Sequence, residues 1–288
     1  MIFTLRLKQK SCILIAWEVF IIAKNARKWN TTVYQRYISE GRGQGSGAKY
    51  NPWITVREFP SLGVVSRVKG HTTGRTHHFM SNYELAYFFM LDWSDDVLDI
   101  REQFPLIGLS KAVEIAEKAK IRYPYDPVSG FPYVLTSDFY VETTKGVVVI
   151  AVKPASELEK LRVQEKLEIE RRYWKSKNIT WKIITEREIN QTKARNIEWL
   201  SQAHDLSVYG LDDAIQWLCI DFFITAYSVY STSLNSLFLE LEQRFALPTG
   251  MGLNIFKHLA YWKEIPIDVE IPIDVSKFTI SRREGVSA

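Results

Sequence analysis

The feature that most constrains this chain is the run Val-Val-Val-Ile-Ala-Val-Lys at residues 147–153. β-Branched side chains fit the pleated surface of a strand, and a run without polar alternation is typical of a strand that is buried on both faces. Strand and helix patterns alternate along the chain on either side of this run. We therefore place the strand at the centre of a mixed α/β domain.

The segment before this run predicts its partner strand. Residues 134–141 alternate around a single acid, Asp138, and a turn at residues 143–146 ends in Gly146, which can adopt the positive φ of a tight hairpin. Because side chains alternate between faces, Ala151 and Lys153 share one face of the second arm. A two-residue loop then places Asp138 opposite one of these two residues and diagonal to the other.

Two interpretations of Asp138 and Lys153 follow from this pairing. The first is an ordinary ion pair across neighbouring strands at the end of a sheet. The second is half of a metal-dependent nuclease site. In such a site the carboxylate holds a divalent cation at the scissile phosphate, and the lysine orients or deprotonates water or stabilises charge on the phosphate. The hairpin by itself is compatible with both.

A second carboxylate, Glu84, lies near the start of a predicted helix over residues 81–93. Ser81 and Glu84 have the spacing of a capping box, which would give the glutamate a structural role. Glu84 also shares an inward stripe with Phe88 and Leu91, at i+4 and i+7. A carboxylate on an apolar face needs a partner, and a metal ion is one candidate.

Composition bounds the remaining choices. A chain of 288 residues can hold two domains of ordinary size or one large one, and 46% apolar with 24% charged residues is a globular composition. The formal net charge of +4 permits a polyanionic partner without demanding one. Cys12 and Cys219 lie far apart and have no metal-binding spacing, so a reducing cytoplasm is the default compartment.

The first thirty residues need a separate interpretation. Basic residues precede an apolar stretch over residues 12–23, as in a signal peptide, but Glu18 interrupts the stretch and no small-residue cleavage site follows. The stretch is also too short to span a membrane, and we expect no membrane association. We treat residues 1–30 as a non-native or upstream-translated extension, or as an amphipathic arm that docks on a partner.

The order of predicted elements divides the rest of the chain at residue 188. Strands are expected at residues 53–56, 64–68, 74–79, 97–106 and 179–184, with helices over 31–40, 81–93, 111–122 and 157–177, which gives an α/β domain over residues 31–188. Residues 189–288 are predicted to form a smaller helical domain. Its last two helices flank a short Pro/Gly turn, and the sequence Ile-Pro-Ile-Asp-Val then occurs twice within residues 265–275. This order is typical of a winged helix-turn-helix, although a plain helical protein-interaction domain fits equally well.

Four side chains are candidates for contact with DNA. Arg42 lies in a segment with four glycines in residues 41–47, which is either a flexible arm or an arm that reaches phosphates. It is not a Walker loop, because no Gly-Lys-Ser/Thr follows at the required spacing. Arg75 and His78 lie on one predicted strand, and Lys257 lies on the second helix of the predicted helix-turn-helix.

Seven short motifs occur in order along the chain. They are Glu40-Gly-Arg-Gly-Gln-Gly, Pro52-Trp53, Gly74-Arg-Thr-His-His, Leu98-Asp-Ile-Arg-Glu-Gln-Phe-Pro-Leu, Thr136-Ser-Asp-Phe, Val152-Lys-Pro-Ala and Glu165-Lys-Leu-Glu-Ile-Glu-Arg-Arg-Tyr-Trp. As an ordered set they closely resemble the TnsA family, the endonuclease subunits of heteromeric Tn7-type transposases. The resemblance covers residues 31–200 well and the C-terminal part only loosely.

The resemblance implies a restriction-endonuclease-like nuclease domain with a mixed sheet, followed by a smaller helical, winged-helix-like domain. It implies an enzyme that nicks the 5′ strands at the ends of a transposable element by Mg²⁺-dependent phosphodiester hydrolysis, with Mn²⁺ able to substitute. It also implies transposon-end DNA as the substrate, the transposase subunit TnsB and the ATP-dependent regulator TnsC as partners, and the bacterial cytoplasm as the location.

The family site maps onto this sequence residue by residue. The resemblance assigns the helix glutamate to Glu84, the strand aspartate to Asp138 and the lysine to Lys153. By analogy with the fold, the backbone carbonyl of Val152 would be a further metal ligand beside Glu84 and Asp138. Glu170, on the helix after the hairpin, matches an acidic position of the family and would support the site.

Ala151 departs from the family pattern, which has glutamine or an acid at this position. Its methyl group offers no oxygen to a metal, and three explanations compete: an engineered inactivation, a natural variant that uses water or a backbone oxygen, and a degenerate subunit. Since Mg²⁺ keeps several waters in many sites, the loss of one ligand should weaken the site but need not abolish metal binding. The alternatives to an active nuclease are a catalytically impaired subunit that bridges transposase and regulator and, less favoured, a stand-alone DNA-binding regulator.

Overall fold

A computed structural model describes residues 29–58, 65–229 and 233–277 of the protein. The predicted extension over residues 1–30 lies outside these ranges except for Trp29 and Asn30. The described parts of the chain contain eight α-helices and six strands. In order, the elements are α1 (Thr31–Ser39), β1 (Ser66–Lys69), β2 (Thr76–Phe79), α2 (Asn82–Asp92), β3 (Val97–Pro105), α3 (Leu109–Lys118), β4 (Thr136–Thr143), β5 (Gly146–Val152), α4 (Leu161–Ser176), β6 (Thr180–Ile184), α5 (Gln191–Ser201), α6 (Asp213–Val229), α7 (Leu234–Arg244) and α8 (Met251–Tyr261).

A mixed four-stranded sheet in the order β3-β4-β5-β6 forms the centre of the fold. The predicted hairpin is confirmed: β4 and β5 run antiparallel, and Thr143 pairs with Gly146, whose φ is +116°. β3 flanks β4 in the antiparallel sense, whereas β6 pairs with β5 in parallel. β1 and β2 form a separate antiparallel pair.

Helices cover both faces of the central sheet. On one face, Tyr173 and Trp174 of α4 pack with Phe104 and Val149. On the other face, Phe139 and other strand residues pack against α2 and the helices that follow β6. Residues 149–152 of β5 are all buried as a result, which confirms burial on both faces and explains the absence of polar residues in this strand.

Four helices, α5 to α8, follow the sheet. A mixed α/β unit followed by a helical unit confirms the predicted fold class. The boundary proposed at residue 188 stays a prediction. None of the described helices combines the length and the hydrophobicity that crossing a bilayer requires.

Two expected features of a winged helix are absent from the described part of the C-terminal unit. The helix expected to read DNA, α8, buries eight of its eleven residues, because it packs among α5, α6 and α7. It therefore presents too little free surface to enter a groove. The repeat at residues 265–275 forms no strand and runs instead through bends and a turn.

The glycine-rich segment 41–47 is an ordered turn, and the expectation of a flexible arm was wrong. The N–H of Gly43 donates to the carbonyl of Asn51 at 2.6 Å, and the N–H of Gly47 donates to Asp99 at 3.1 Å. The expected strand at residues 53–56 is likewise a turn, in which the backbone and side chain of Thr55 donate to the Glu58 carboxylate. These bonds tie the segment before β1 to itself and to β3.

Two glycines of this turn provide a matched test of the packing. Gly41 and Gly43 have nearly the same φ, +70° and +71°. A Cβ on Gly41 would meet nothing within 4 Å, whereas a Cβ on Gly43 would lie 2.3 Å from Cγ of Pro105. We expect Gly41→Ala to lower the free energy of unfolding by about 1 kcal/mol through backbone strain, and Gly43→Ala to lower it by about 1–3 kcal/mol more through the clash. Urea denaturation measures both values, and equal losses would show that the turn does not pack on β3.

Candidate active site

The hairpin places Asp138 and Lys153 at the end of the sheet. The last pair of the β4–β5 ladder is Phe139 with Ile150, next to Asp138. Beyond it, Oδ2 of the Asp138 carboxylate accepts a hydrogen bond from the N–H of Val152 at 2.6 Å and one from Nζ of Lys153 at 2.7 Å. The ion pair of the first interpretation therefore exists.

Glu84 lies in the first turn of α2 and is only 5% exposed. The Ser81 hydroxyl accepts the N–H of Glu84 at 3.1 Å, as in the predicted capping box. The return bond differs, because the Glu84 carboxylate accepts the N–H of Met80 at 3.0 Å and the Ser81 hydroxyl at 2.9 Å. The glutamate is thus both a cap and an inward-facing group, and the two interpretations of its sequence position are compatible.

Electrostatic interactions connect Glu84 with the end of the hairpin. The pKa of Glu84 is raised to about 7. Burial is the largest cause, the charge of Asp138 acts in the same direction, and the charge of Lys153 acts against both. Burial acts to lower the pKa of Lys153, but Asp138 and Glu84 outweigh it and leave that pKa raised. The fold therefore brings two carboxylates and one ammonium group together, from α2, from β4 and from the residue that follows β5.

Glu170 adds a third buried carboxylate next to this group. It lies on α4, and its Oε1 accepts the indole N–H of Trp181 at 2.9 Å. Burial, followed by the charge of Asp138, raises the pKa of Glu170 to about 7 against the opposing effects of Ser137 and Lys153. Glu170 therefore interacts with the site from the face opposite α2.

The chemistry of these side chains suits a divalent cation. Two buried carboxylates that raise each other's energy are stabilised by a doubly charged ion, and hard oxygen donors are the ligands of Mg²⁺ and Mn²⁺. Within the described ranges, no three side chains of His, Cys, Asp or Glu lie close enough together to hold a metal. A cation here would therefore depend on Glu84, Asp138, backbone oxygen and water. The buried methyl group of Ala151 is consistent with that limit.

Three of the side chains predicted to contact DNA are engaged inside the protein. Arg42 forms ion pairs with Glu40 at 2.7 Å and with Glu58 at 2.6 Å. Arg75 forms a bidentate ion pair with the fully buried Glu102. Lys257 of α8 is 7% exposed and donates to the side-chain oxygen of Gln202, with its Nζ 4.4 Å from the Trp199 ring centre. Phosphate contact would require these interactions to break.

His78 offers a phosphate little charge. It is half-buried on β2, and burial lowers its pKa, so the ring is mostly neutral near pH 7. Its neighbour His77 is fully buried between Glu102 and Thr73. None of the four predicted DNA contacts enters the function proposed below.

Gln103 is a residue of the site that sequence reasoning missed. It lies on β3, is 5% exposed, and its side-chain amide is 3.4 Å from Oε2 of Glu84. Its φ of +48° is unusual for a residue in a strand. A single glutamine in an otherwise regular strand pattern gives no local signal of either feature.

Comparison with known proteins connects this geometry with a family. Residues 94–186 match the family model described as TnsA-like endonuclease N terminal, and residues 188–269 match that described as TnsA endonuclease C terminal. The chain is also 46% identical over 182 residues to the transposon Tn7 transposition protein TnsA of Escherichia coli. That alignment covers 62% of this chain and 66% of the relative, just under two thirds of its length.

Glu170 provides a test of the electrostatics through the pH dependence of stability. Because the folded state raises its pKa from 4.5 to about 7, the stability it contributes is fully present below pH 4.5 and is lost as pH rises through about 7. Glu170→Gln removes the ionisation, so we expect it to raise the free energy of unfolding at pH 8 by up to about 3 kcal/mol and to change it little at pH 4.5. Thermal and urea unfolding across this pH range measure the difference.

Glu168→Gln on the same helix is the matched control. Hydrogen bonds from Arg171 lower the pKa of Glu168 to about 2 and Arg172 acts in the same direction, so its contribution is present above pH 4.5 and is lost as pH falls toward 2. Its substitution should therefore reduce stability at pH 8. A Glu170→Gln effect of the same sign as that of Glu168→Gln would contradict the assignment of Glu170 as a buried, destabilised carboxylate.

Proposed function

Because the chain belongs to the TnsA endonuclease family, we propose that it is the endonuclease subunit of a Tn7-type transposition system and nicks the 5′ strands at the transposon ends. The observation that carries the proposal is the convergence of Glu84, Asp138 and Lys153 at one end of the sheet in a chain of this family. An isolated surface ion pair would not need a second, buried carboxylate beside it.

The proposed chemistry is metal-assisted phosphodiester hydrolysis. A divalent cation, Mg²⁺ or Mn²⁺, would supply Lewis acidity at the scissile phosphate. Glu84 and Asp138 would hold it, with the backbone carbonyl of Val152 as a further ligand. Burial at the end of the sheet keeps these carboxylates away from bulk water and strengthens their hold on a cation.

Lys153 would act on the substrate side of the site. Its ammonium group is fixed by Asp138 at 2.7 Å and remains protonated because its pKa is raised. A protonated lysine at this position can orient the attacking water and stabilise the charge that develops on the phosphate. Glu170 would support the site by setting the electrostatic environment of Asp138 and Lys153.

The proposed partners follow from membership of the family. The substrate would be transposon-end DNA, and the chain would act in the bacterial cytoplasm with a TnsB transposase that processes the 3′ ends and a TnsC regulator that uses ATP. Since Arg42, Arg75 and Lys257 are engaged internally, we propose that recognition of the end sequence comes mainly from the partner transposase.

A catalytically impaired subunit is the second candidate, and Ala151 is the specific observation in its favour. The residue is 1% exposed, and its buried methyl group offers no oxygen to a cation at this position. Such a subunit would bridge transposase and regulator without cleaving DNA. The two functions differ only in whether two carboxylates suffice to hold a working cation.

Asp138→Asn tests the nuclease function directly. The amide can keep the hydrogen bond from Val152 but loses the charge that holds a cation, so we expect 5′ nicking to fall at least about 100-fold. The assay is cleavage of a plasmid that carries both element ends, reconstituted with transposase, regulator and Mg²⁺. Asp96→Asn is the control, because Asp96 forms an ion pair of the same length with Lys145, exposed at the other end of the sheet. Equal nicking by the two variants would remove Asp138 from the mechanism.

Ala151→Gln separates the active from the impaired subunit. Added side-chain oxygen should strengthen cation binding, so we expect the Mg²⁺ concentration for half-maximal nicking to fall about tenfold. This result requires that the unsubstituted chain nicks DNA at high Mg²⁺. A chain that is inert at every Mg²⁺ and Mn²⁺ concentration and gains activity only with Ala151→Gln would establish the impaired subunit instead.

A further inference from the structure

Gln103 occupies a conformation that its neighbours do not share. β3 pairs regularly with β4 on either side of it, through Glu102 with Phe139 and Phe104 with Ser137. Gln103 and Asp138 are the intervening positions of the two strands. Between these regular pairs, Gln103 has a φ of +48°, in the left-handed region that favours glycine.

This conformation changes the direction of the strand's side chains. Arg101 lies over the ring of Tyr140 at 5.2 Å, and Phe104 stacks on the same ring at 4.4 Å. Residues three positions apart in a regular strand point to opposite faces. The left-handed residue between them therefore interrupts the alternation, which frees the Gln103 side chain to turn toward α2.

Both ends of the Gln103 amide are used at the site. Its nitrogen donates to Oε2 of Glu84 at 3.4 Å, and its oxygen accepts the hydroxyl of Thr136 at 3.0 Å. Thr136 belongs to β4, two residues before Asp138. The buried amide thus connects the carboxylate supplied by a helix with the strand that supplies the other carboxylate.

A left-handed conformation costs a glutamine free energy that a glycine would not lose, and such strain is retained where the side chain or backbone has a use. The backbone has a modest one, since its carbonyl accepts the N–H of Trp53 at 3.3 Å, and a glycine could provide that equally. The side chain therefore explains why this position has a glutamine and not a glycine. It contacts Glu84, one of the two carboxylates of the proposed site.

We propose that Gln103 is a positioning residue for Glu84. The inference rests on the proposed function, since it concerns the same cation site. Gln103 acts through Glu84: the hydrogen bond fixes the carboxylate at the orientation in which it and Asp138 face one cation. Residues that orient metal ligands in this way change metal affinity when they are removed.

Two substitutions separate the side chain from the backbone. Gln103→Gly removes the amide and suits the positive φ, whereas Gln103→Met keeps the length and the backbone cost but cannot hydrogen-bond to Glu84. For both variants we expect the Kd for Mn²⁺, measured by isothermal titration calorimetry on the full chain, to rise about tenfold or more. Tm of the metal-free Gln103→Gly variant should not fall. A purely structural glutamine would give the reverse, a lower Tm with unchanged Mn²⁺ affinity.

Lys120→Gly is the matched control for the backbone. Lys120 has a similar φ of +57° but is exposed at the end of α3, so its substitution should leave the Kd for Mn²⁺ unchanged. A Kd for Gln103→Gly or Gln103→Met within twofold of that of the unsubstituted chain would overturn the inference. Asp138→Asn distinguishes this from failure of the proposed function: if that variant also binds Mn²⁺ normally, the cation site itself is wrong.

Discussion

The repulsion between two carboxylates buried at the end of a sheet is the constraint on which the rest of this structure depends. Burial raises the pKa of Glu84 to about 7, and the nearby charge of Asp138 acts in the same direction. Lys153 offsets part of this energy through its ion pair at 2.7 Å. A stable fold that retains two buried, mutually repelling carboxylates must be well packed elsewhere. A bound cation would replace this repulsion with attraction to both carboxylates.

The packing comes from the two helical layers around β5. Because this strand is covered on both faces, its apolar residues drive the assembly of the layers and fix the strands around it. A second buried network joins β1 and β2 to β3: Arg75 and His77 together stabilise Glu102, and their hydrogen bonds overcome the effect of burial and lower the Glu102 pKa to about 2. Basic residues that suggest DNA contact in the sequence thus serve the core of the domain.

Elements with strong periodicity were predictable, and their surroundings were not. The hairpin, α2 and β3 follow from strand alternation, a capping box and a proline stop, which are local signals. The sequence left α8 open between a DNA-reading helix and part of a plain helical domain, and the burial of eight of its eleven residues by the neighbouring helices favours the second. The turn at residues 41–47 was expected to be a flexible arm or an arm that reaches phosphates, because the bonds that order it come from outside the glycine-rich segment, from Asn51 and Asp99.

By itself, the sequence determined the hairpin, since side-chain alternation and a two-residue loop bring Asp138 to the same end of the sheet as Ala151 and Lys153. It also placed Glu84 on an inward helix face. Only the tertiary structure decided that this face meets the end of the hairpin, and that Gln103 turns toward Glu84 with a positive φ. Both depend on how α2 packs against strands of the sheet, and local propensities contain no information about that packing.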